Sequence, residues 1–87
     1  MSPLVCIIVV NYNNYYDTIE CIKSLDKINY DCYKVIIVDN DSTNDSEQIL
    51  REMFPTYKVI QTGVNLGFAG GSNIGIKEAL ASGAEYI

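Results

Sequence analysis

Two runs of apolar, mostly β-branched residues, each ending abruptly in a polar residue, limit the possible folds more than any other feature. The first run covers residues 4–10 and is followed by Asn11, and the second covers residues 35–38 and is followed by Asp39. Both are shorter than a free-standing helix and neither alternates apolar with polar residues, so each predicts a strand buried on both faces. Such strands are typical of parallel sheets that helices cover on both sides.

A helix-like spacing of apolar residues follows each run. Between residues 15 and 25 an apolar side chain recurs about once a turn, which predicts a first helix with Asn14 as its candidate cap. A second stripe before Pro55 predicts a second helix, because proline disfavours the α conformation in the residue that precedes it. Strand and helix thus alternate twice.

The rest of the chain repeats the unit with a weaker pattern. Residues 57–62 predict a third strand, with Val59 and Gln61 on opposite faces, and residues 71–82 predict a third helix. Residues 84–87 predict the opening of a fourth strand. The predicted fold class is therefore α/β, a three-layer αβα arrangement around a parallel, Rossmann-like sheet. Right-handed crossovers, together with a first strand that is the most uniformly apolar, predict the strand order 3-2-1, or 3-2-1-4 with the fourth strand.

Composition excludes several classes of function. A formal net charge of -5, with six Lys and Arg residues, argues against nucleic-acid binding, which requires clustered positive charge. The chain contains no histidine, so His-based acid–base catalysis and hydrolytic triads are excluded within these residues. It also lacks the G-x-G-x-x-G motif of dinucleotide-binding dehydrogenases and the G-K-[ST] motif of P-loop proteins.

The three cysteines, Cys6, Cys21 and Cys32, form no C-x-x-C pair, which argues against a zinc site. Cys6 lies in an apolar run and Cys21 in a helical pattern, so both are expected to be buried, reduced thiols. The first apolar run has no basic leader and is too short to span a membrane. These features predict a cytoplasmic protein, with membrane association of a full-length protein left open.

The carboxyl ends of the strands are the expected position of a site, because open parallel sheets bind their ligands there. Asp39 follows the second run directly and has two interpretations. Its carboxylate can accept hydrogen bonds from a pyrimidine N–H and a ribose hydroxyl, or it can close the local turn and cap the next helix. Position alone favours neither.

The glycine-rich segment 65–75 also has two interpretations. Its glycines allow the backbone to approach a ligand, and helix-start amides could face a phosphate. The same glycines could instead line a close contact between a helix and the sheet. Phe68, within this segment, is expected to be a core anchor.

Taken together, residues 7–13 (IIVVNYN), 35–42 (VIIVDNDS) and 65–75 (NLGFAGGSNIG) strongly resemble the family 2 glycosyltransferases, and the third segment resembles rhamnosyltransferase-type members. The resemblance covers nearly the whole chain. It implies a GT-A domain that transfers a sugar from a nucleotide-diphosphate sugar, with UDP or dTDP as the nucleotide, and inverts the anomeric carbon. The acceptor would be a glycan or a lipid-linked molecule, in the synthesis of cell-envelope polysaccharide.

The resemblance also assigns roles in a nucleotide site. Three residues would line the base pocket, one would pair with the pyrimidine, and three would border the ribose and diphosphate. In this order they are Val10, Asn11 and Tyr12, then Asp39, then Asn65, Gly67 and Asn73. Replacement of Asp39 by alanine is accordingly expected to weaken nucleotide binding and to leave the stability of the fold almost unchanged.

Residues 1–87 are predicted to be the amino-terminal, nucleotide-sugar-binding portion of that GT-A domain. The acidic metal-binding motif of the family and its catalytic base would follow residue 87, so no catalytic residue and no metal ligand is predicted within the chain. A divalent cation, Mg²⁺ or Mn²⁺, is expected in the full-length protein. Because the sheet would continue, the isolated portion is expected to self-associate as a dimer. The alternative is a non-catalytic nucleotide-binding or protein-interaction module on the same scaffold.

Overall fold

The computed structural model describes residues 4–25, 27, 32–84 and 87 of the chain. Within these ranges strands and helices alternate, as the sequence predicts. The elements, in chain order, are β1 (Val5–Asn11), α1 (Tyr15–Leu25), β2 (Tyr33–Asp39), α2 (Ser46–Met53), β3 (Lys58–Gln61) and α3 (Gly67–Ala81). None of these helices is long and apolar enough to cross a membrane.

The three strands form one parallel sheet in the order β1-β2-β3. This is the predicted order 3-2-1, with β2 in the centre, and it confirms the α/β class. The register places Asn11, Asp39 and Gln61 side by side at the carboxyl ends of the strands. The fourth strand predicted at residues 84–87 falls on a segment of which residues 85 and 86 lie outside the described part of the chain.

Helices cover both faces of this sheet. On one face β2 packs with Ile22 of α1 and Leu50 of α2, and on the other it packs with Ala79 of α3. The side chains of residues 35–38 are fully buried, which confirms the prediction for this strand. Residues 7–10 of β1 are only partly buried, because β1 has a neighbouring strand on one side only within the described residues.

A stripe of small residues brings α3 close to the sheet. Gly71, Gly75 and Ala79 are the buried residues of this helix. A Cβ atom added to Gly75 would lie 2.5 Å from Cγ2 of Ile8, and one added to Gly71 would lie 3.1 Å from Cγ1 of Val10. A close-packed interior does not admit the shorter approach without movement of the neighbour. For these two glycines the structure therefore supports the second interpretation, a close contact between helix and sheet.

The start of α3 differs from the prediction. The helix begins at Gly67 rather than at residue 71, and Gly67 has a φ of 74°, a left-handed conformation that favours glycine. Phe68, expected to be a core anchor, is instead 71% exposed. Gly71 already packs against Val10 and Asn40 at the ends of β1 and β2, so the turn of α3 that carries Phe68 extends beyond the sheet. The aromatic ring therefore has no strand beneath it.

The cysteines are free thiols, and one of them lies where the sequence did not place it. Cys6 is buried, as predicted, whereas Cys21 is exposed. The buried stripe of α1 runs through Thr18 and Ile22, and Cys21 lies beside this stripe rather than within it. The helical pattern thus predicted the helix correctly, but the prediction that the Cys21 side chain is buried is wrong.

We expect Gly75→Ala to lower the free energy of unfolding by about 1–3 kcal/mol, the cost of forcing an extra methyl group into a packed core. The loss should occur although alanine is the better helix former by about 1 kcal/mol. Urea unfolding followed by circular dichroism measures the change. Lys77→Ala, at an exposed position of the same helix, is the control and should change the free energy by less than about 0.5 kcal/mol. Unchanged or higher stability of Gly75→Ala would contradict the close contact.

Candidate functional site

The carboxyl ends of the three strands carry a row of polar side chains. Asn11 pairs with Asp39, and Asp39 pairs with Gln61, in the parallel register. Paired residues of adjacent strands point to the same face of a sheet, so these side chains can meet. Asn11 and Asp39 are only 1% and 0% exposed, and their polar atoms therefore depend on partners within the protein.

Asp39 accepts four hydrogen bonds from groups of the protein. Its Oδ1 accepts from Nδ2 of Asn11 at 2.9 Å and from Oγ of Ser42 at 2.7 Å. Its Oδ2 accepts from the backbone N–H of Ser42 at 3.0 Å and from Nε2 of Gln61 at 3.0 Å. An ionised carboxylate has about four acceptor positions, so these donors occupy it fully. The turn-closing role that the sequence allows for Asp39 is thus present in the structure.

Asn11 connects this carboxylate to α1. Its Oδ1 accepts a hydrogen bond of 2.6 Å from Oγ1 of Thr18, which is a buried residue of α1. One end of the Asn11 carboxamide therefore binds Thr18, and the other end binds Asp39. The orientation of the amide is fixed by this pair of contacts, because only the oxygen can accept and only the nitrogen can donate.

Gln61 connects the same carboxylate to β3 and α2. Besides its bond to Asp39, its Nε2 donates to Oε1 of Glu47 at 2.7 Å. Its Oε1 accepts from the backbone N–H of Asp41 at 3.1 Å.

Gln61 lies on the same face of β3 as Val59, because residues two apart in a strand point the same way. The prediction that Val59 and Gln61 lie on opposite faces of this strand is therefore wrong.

The turns that follow β1 and β2 are hydrogen-bonded to each other. Asn13 has a φ of 55°, and its backbone N–H donates to Oγ of Ser42 at 2.9 Å. Its side-chain Oδ1 accepts from the backbone N–H of Thr43 at 2.7 Å. Tyr12 lies between Asn11 and Asn13, so both of its neighbours in the chain are held in place.

Two open pockets flank Tyr12 at this end of the sheet. The first, which we call the α3 pocket, has a volume of about 330 Å³ and is lined by Val10, Tyr12, Asn40, Asn65, Gly67 and Phe68. The second, the α1 pocket, has a volume of about 360 Å³, shares Val10 and Tyr12, and also contains Asn11, Asp17 and Cys21. Both volumes lie at the lower end of the range of small-molecule sites, about 300–1,000 Å³.

The structure brings together only part of the predicted nucleotide site. The residues that line the α3 pocket as predicted are Val10, Tyr12, Asn65 and Gly67. Asn11 and Asp39 form the hydrogen-bond network beneath, and Asp39 lines neither of the two pockets. Asn73 is exposed on the second turn of α3 and also lines neither pocket.

Sequence reasoning missed Asn40, which lines the α3 pocket and is only 2% exposed. A signal was available, because successive side chains at the end of a strand point to opposite faces. The residue after Asp39 is therefore expected on the α3 side. Thr18 gave no such signal, since its contact with Asn11 depends on how α1 packs on the sheet.

The α3 pocket offers hydrogen-bonding groups without a charged side chain in its lining. These groups are the carboxamide of Asn65 and the backbone N–H groups that follow Gly67 at the start of α3, because the carboxamide of Asn40 is bound to Leu66 and Gly67 and the N–H of Gly67 is bound to Oδ1 of Asn65. A helix start carries unpaired N–H groups and a partial positive charge, which suit an anion. Within the described ranges, no group of three or more His, Cys, Asp or Glu residues is arranged as a metal site.

The burial and the four hydrogen bonds of Asp39 contradict the expectation that its removal leaves stability almost unchanged. We expect Asp39→Asn to lower the free energy of unfolding by about 2–3 kcal/mol, because an amide NH₂ would face buried donors that now bind a carboxylate. Urea unfolding measures the loss. Asp45→Asn is the matched control, since Asp45 is exposed and makes no side-chain cap bond, and its effect should stay below about 0.5 kcal/mol. Equal effects of the two substitutions would show that the network does not stabilise the fold.

Comparison with known protein families matches the chain over almost its whole length. Residues 6–87 match the family model described as Glycosyl transferase family 2. The matched segment contains the carboxyl ends of all three strands and every residue that lines the α3 pocket. A comparison with individual curated proteins gave no match.

Proposed function

Because the chain belongs to glycosyl transferase family 2, we propose that its strand-end site binds the nucleotide of a nucleotide-diphosphate sugar that serves as the glycosyl donor. The observation that carries this proposal is the α3 pocket, which combines two exposed aromatic side chains with carboxamides and the start of a helix. The pocket lies at the carboxyl ends of parallel strands, where open α/β sheets bind their ligands.

Tyr12 and Phe68 offer a surface for the base. Their side chains are 45% and 71% exposed, and both line the α3 pocket. An aromatic ring on a pocket wall can stack on a nucleobase, and one such contact contributes about 1–3 kcal/mol. The carboxamide of Asn65 can hydrogen-bond the base or the ribose from the same lining. We therefore assign the base and ribose to the α3 pocket rather than to the α1 pocket, whose lining includes Tyr12 but neither Phe68 nor Asn65.

The start of α3 offers donors for the diphosphate. Gly67 lines the pocket, and nothing lies within 4 Å of the position that a Cβ atom would occupy there, so the backbone is open to a ligand. The N–H of Gly67 already donates to Oδ1 of Asn65, so the N–H groups that follow it in the first turn of this 15-residue helix are the ones that can donate to phosphate oxygens. Since no basic side chain lines the pocket, backbone amides are the phosphate donors that this lining supplies.

Contact between Asp39 and a pyrimidine stays a prediction, and it requires that Asp39 give up one of its present hydrogen bonds. Four donors already occupy the carboxylate, so a pyrimidine N–H can bind only in exchange for one of them. Ser42 and Gln61 are partly exposed, whereas Asn11 is buried, so an exchange would involve one of the first two. Asn73 lies outside both linings, and we do not include it among the proposed contacts.

UDP or dTDP as the nucleotide, inversion at the anomeric carbon, a glycan or lipid-linked acceptor and a divalent cation are proposals that rest on the family resemblance. Mg²⁺ usually binds one or two protein carboxylates together with substrate phosphates. The lining of the α3 pocket contains carboxamides and no carboxylate, so it does not fit a metal site by itself. No contact proposed here therefore depends on a metal.

Tyr12→Ala should weaken the binding of UDP and dTDP about 5- to 150-fold, because loss of one stacked ring costs about 1–3 kcal/mol. Isothermal titration calorimetry with each nucleotide measures the affinity. Tyr16→Ala is the matched control, since Tyr16 is 68% exposed on α1 and lines neither pocket, and this variant should bind as the unaltered protein does. No binding by the unaltered protein, or an equal loss in both variants, would contradict the proposal.

The choice between the two pockets can be tested through Cys21, an exposed thiol in the lining of the α1 pocket. With the base and ribose in the α3 pocket, saturating UDP should leave the rate of Cys21 alkylation by iodoacetamide unchanged. Peptide mass spectrometry distinguishes Cys21 from Cys6 and Cys32. Strong protection of Cys21 by UDP would show instead that the base occupies the α1 pocket.

A further inference from the structure

We propose that Asn40 is the positioning residue of the α3 pocket. Its carboxamide holds the turn before α3 against the end of β2 and so sets the distance between the two walls of the pocket. This inference rests on the proposed nucleotide site and adds to it a residue that acts through others. One wall lies at the end of β1 and the other at the start of α3; their residues are Val10 and Tyr12, and Asn65, Gly67 and Phe68.

Asn40 lies where one side chain can reach both sides of the pocket. Its backbone N–H donates to the C=O of Asn11 at 2.9 Å, which fixes it to the end of β1. Its side chain is on the α3 face of the sheet, where Nδ2 is 3.4 Å from the position that a Cβ atom of Gly71 would occupy. Asp39, the preceding residue, binds Asn11 and Gln61 on the other face. Two consecutive residues therefore serve opposite faces of the same strand end.

The carboxamide of Asn40 binds two consecutive residues of the turn. Its Nδ2 donates to the C=O of Gly67 at 2.9 Å, and its Oδ1 accepts from the backbone N–H of Leu66 at 2.9 Å. These contacts span 27 and 26 residues of the chain. Because both a donor and an acceptor are used, neither alanine nor aspartate can replace the whole set.

The backbone N–H of Thr62 donates to the C=O of Asp39 at 3.1 Å and so extends the pairing of β3 with β2 by one residue. Beyond this bond, the other hydrogen bonds that the structure shows within the turn are local. Oγ1 of Thr62 donates to the C=O of Val64 at 2.7 Å, and the N–H of Gly67 donates to Oδ1 of Asn65 at 2.9 Å. Residues 63–67 are all exposed. Local bonds give a turn its shape, but they do not hold it at a given distance from another element. The contacts from Asn40 supply that distance.

A pocket whose walls are already in place binds its ligand without the entropic cost of ordering them. Loss of the Asn40 carboxamide should leave every contact residue present and let the two walls move more freely. Nucleotide affinity should therefore fall, and the change should be visible in the turn before any nucleotide is added. The change in the turn without nucleotide separates Asn40 from a residue such as Tyr12, which acts by direct contact with the nucleotide.

The first test measures the turn without nucleotide, by hydrogen exchange in NMR. In Asn40→Ala the Leu66 amide should exchange at least about tenfold faster, a change of about 1.4 kcal/mol in the opening free energy. This acceleration should exceed that of the buried amides of residues 35–38, which report general loss of stability. Asn40→Asp keeps an acceptor for the Leu66 N–H and should restore its protection. Equal acceleration at Leu66 and at residues 35–38, or none at Leu66, would overturn the proposal.

The second test measures UDP affinity by calorimetry. Asn40→Ala should bind UDP about tenfold more weakly, which corresponds to about 1.4 kcal/mol. Asn40→Asp loses the donor to Gly67 and should also bind more weakly than Gln48→Glu. That control makes the same amide-to-carboxylate change at an exposed position of α2 that lines neither pocket, and it should bind as the unaltered protein does.

The outcomes separate the two proposals. If the unaltered protein does not bind UDP, the proposed function fails, and the exchange rates still decide whether Asn40 holds the turn. If the unaltered protein binds UDP and Asn40→Ala binds it equally well, the positioning role is overturned while the proposed function stands. If Asn40→Ala does not fold, the UDP affinities of Asn40→Asp and Gln48→Glu are compared instead. Equal affinities of these two variants would overturn the positioning role of Asn40.

Discussion

The arrangement of the strand ends depends on one buried carboxylate. Asp39 is fully buried, and an isolated charge in such a position would cost several kcal/mol. Donors from β1, from the turn after β2 and from β3 bind it, and the parallel register places them within reach. The contacts that offset the burial of the charge therefore also hold the three strand ends at one level. The loops of the candidate site begin from that level.

The pocket arises on the opposite face of the same strand ends. Gly71 and Gly75 allow α3 to lie against β1, since a methyl group at Gly75 would meet Ile8 at 2.5 Å. This close approach and the contacts from Asn40 bring the start of α3 beside the turn after β1. Tyr12 and Phe68 then line one pocket from two elements that are distant in the sequence. Gly71, Gly75 and the carboxamide of Asn40 therefore pack α3 onto the sheet and also shape the pocket.

Local patterns were enough to predict the architecture. The β-branched runs, the helical stripes and the rule of right-handed crossovers gave the parallel sheet and its order, because each depends on residues close in sequence or on general chirality. What they could not predict depends on distances between elements. The exposure of Phe68 follows from how far α3 extends past the sheet, and the saturation of Asp39 follows from its register with Gln61. The choice between the two interpretations of the glycine-rich segment likewise depends on the distance between Gly75 and Ile8.

A hydrogen-bond network around Asp39 supports the strand ends beside the α3 pocket, to which we assign a nucleotide as a proposal. A crystal structure of the protein with bound UDP tests this assignment most directly. We expect the uracil ring beside Tyr12 and Phe68, the diphosphate at the N–H groups that follow Gly67 at the start of α3, and the contact between Asn11 and Asp39 retained. UDP bound in the α1 pocket, or bound in a structure where Asp39 has separated from Asn11, would contradict it.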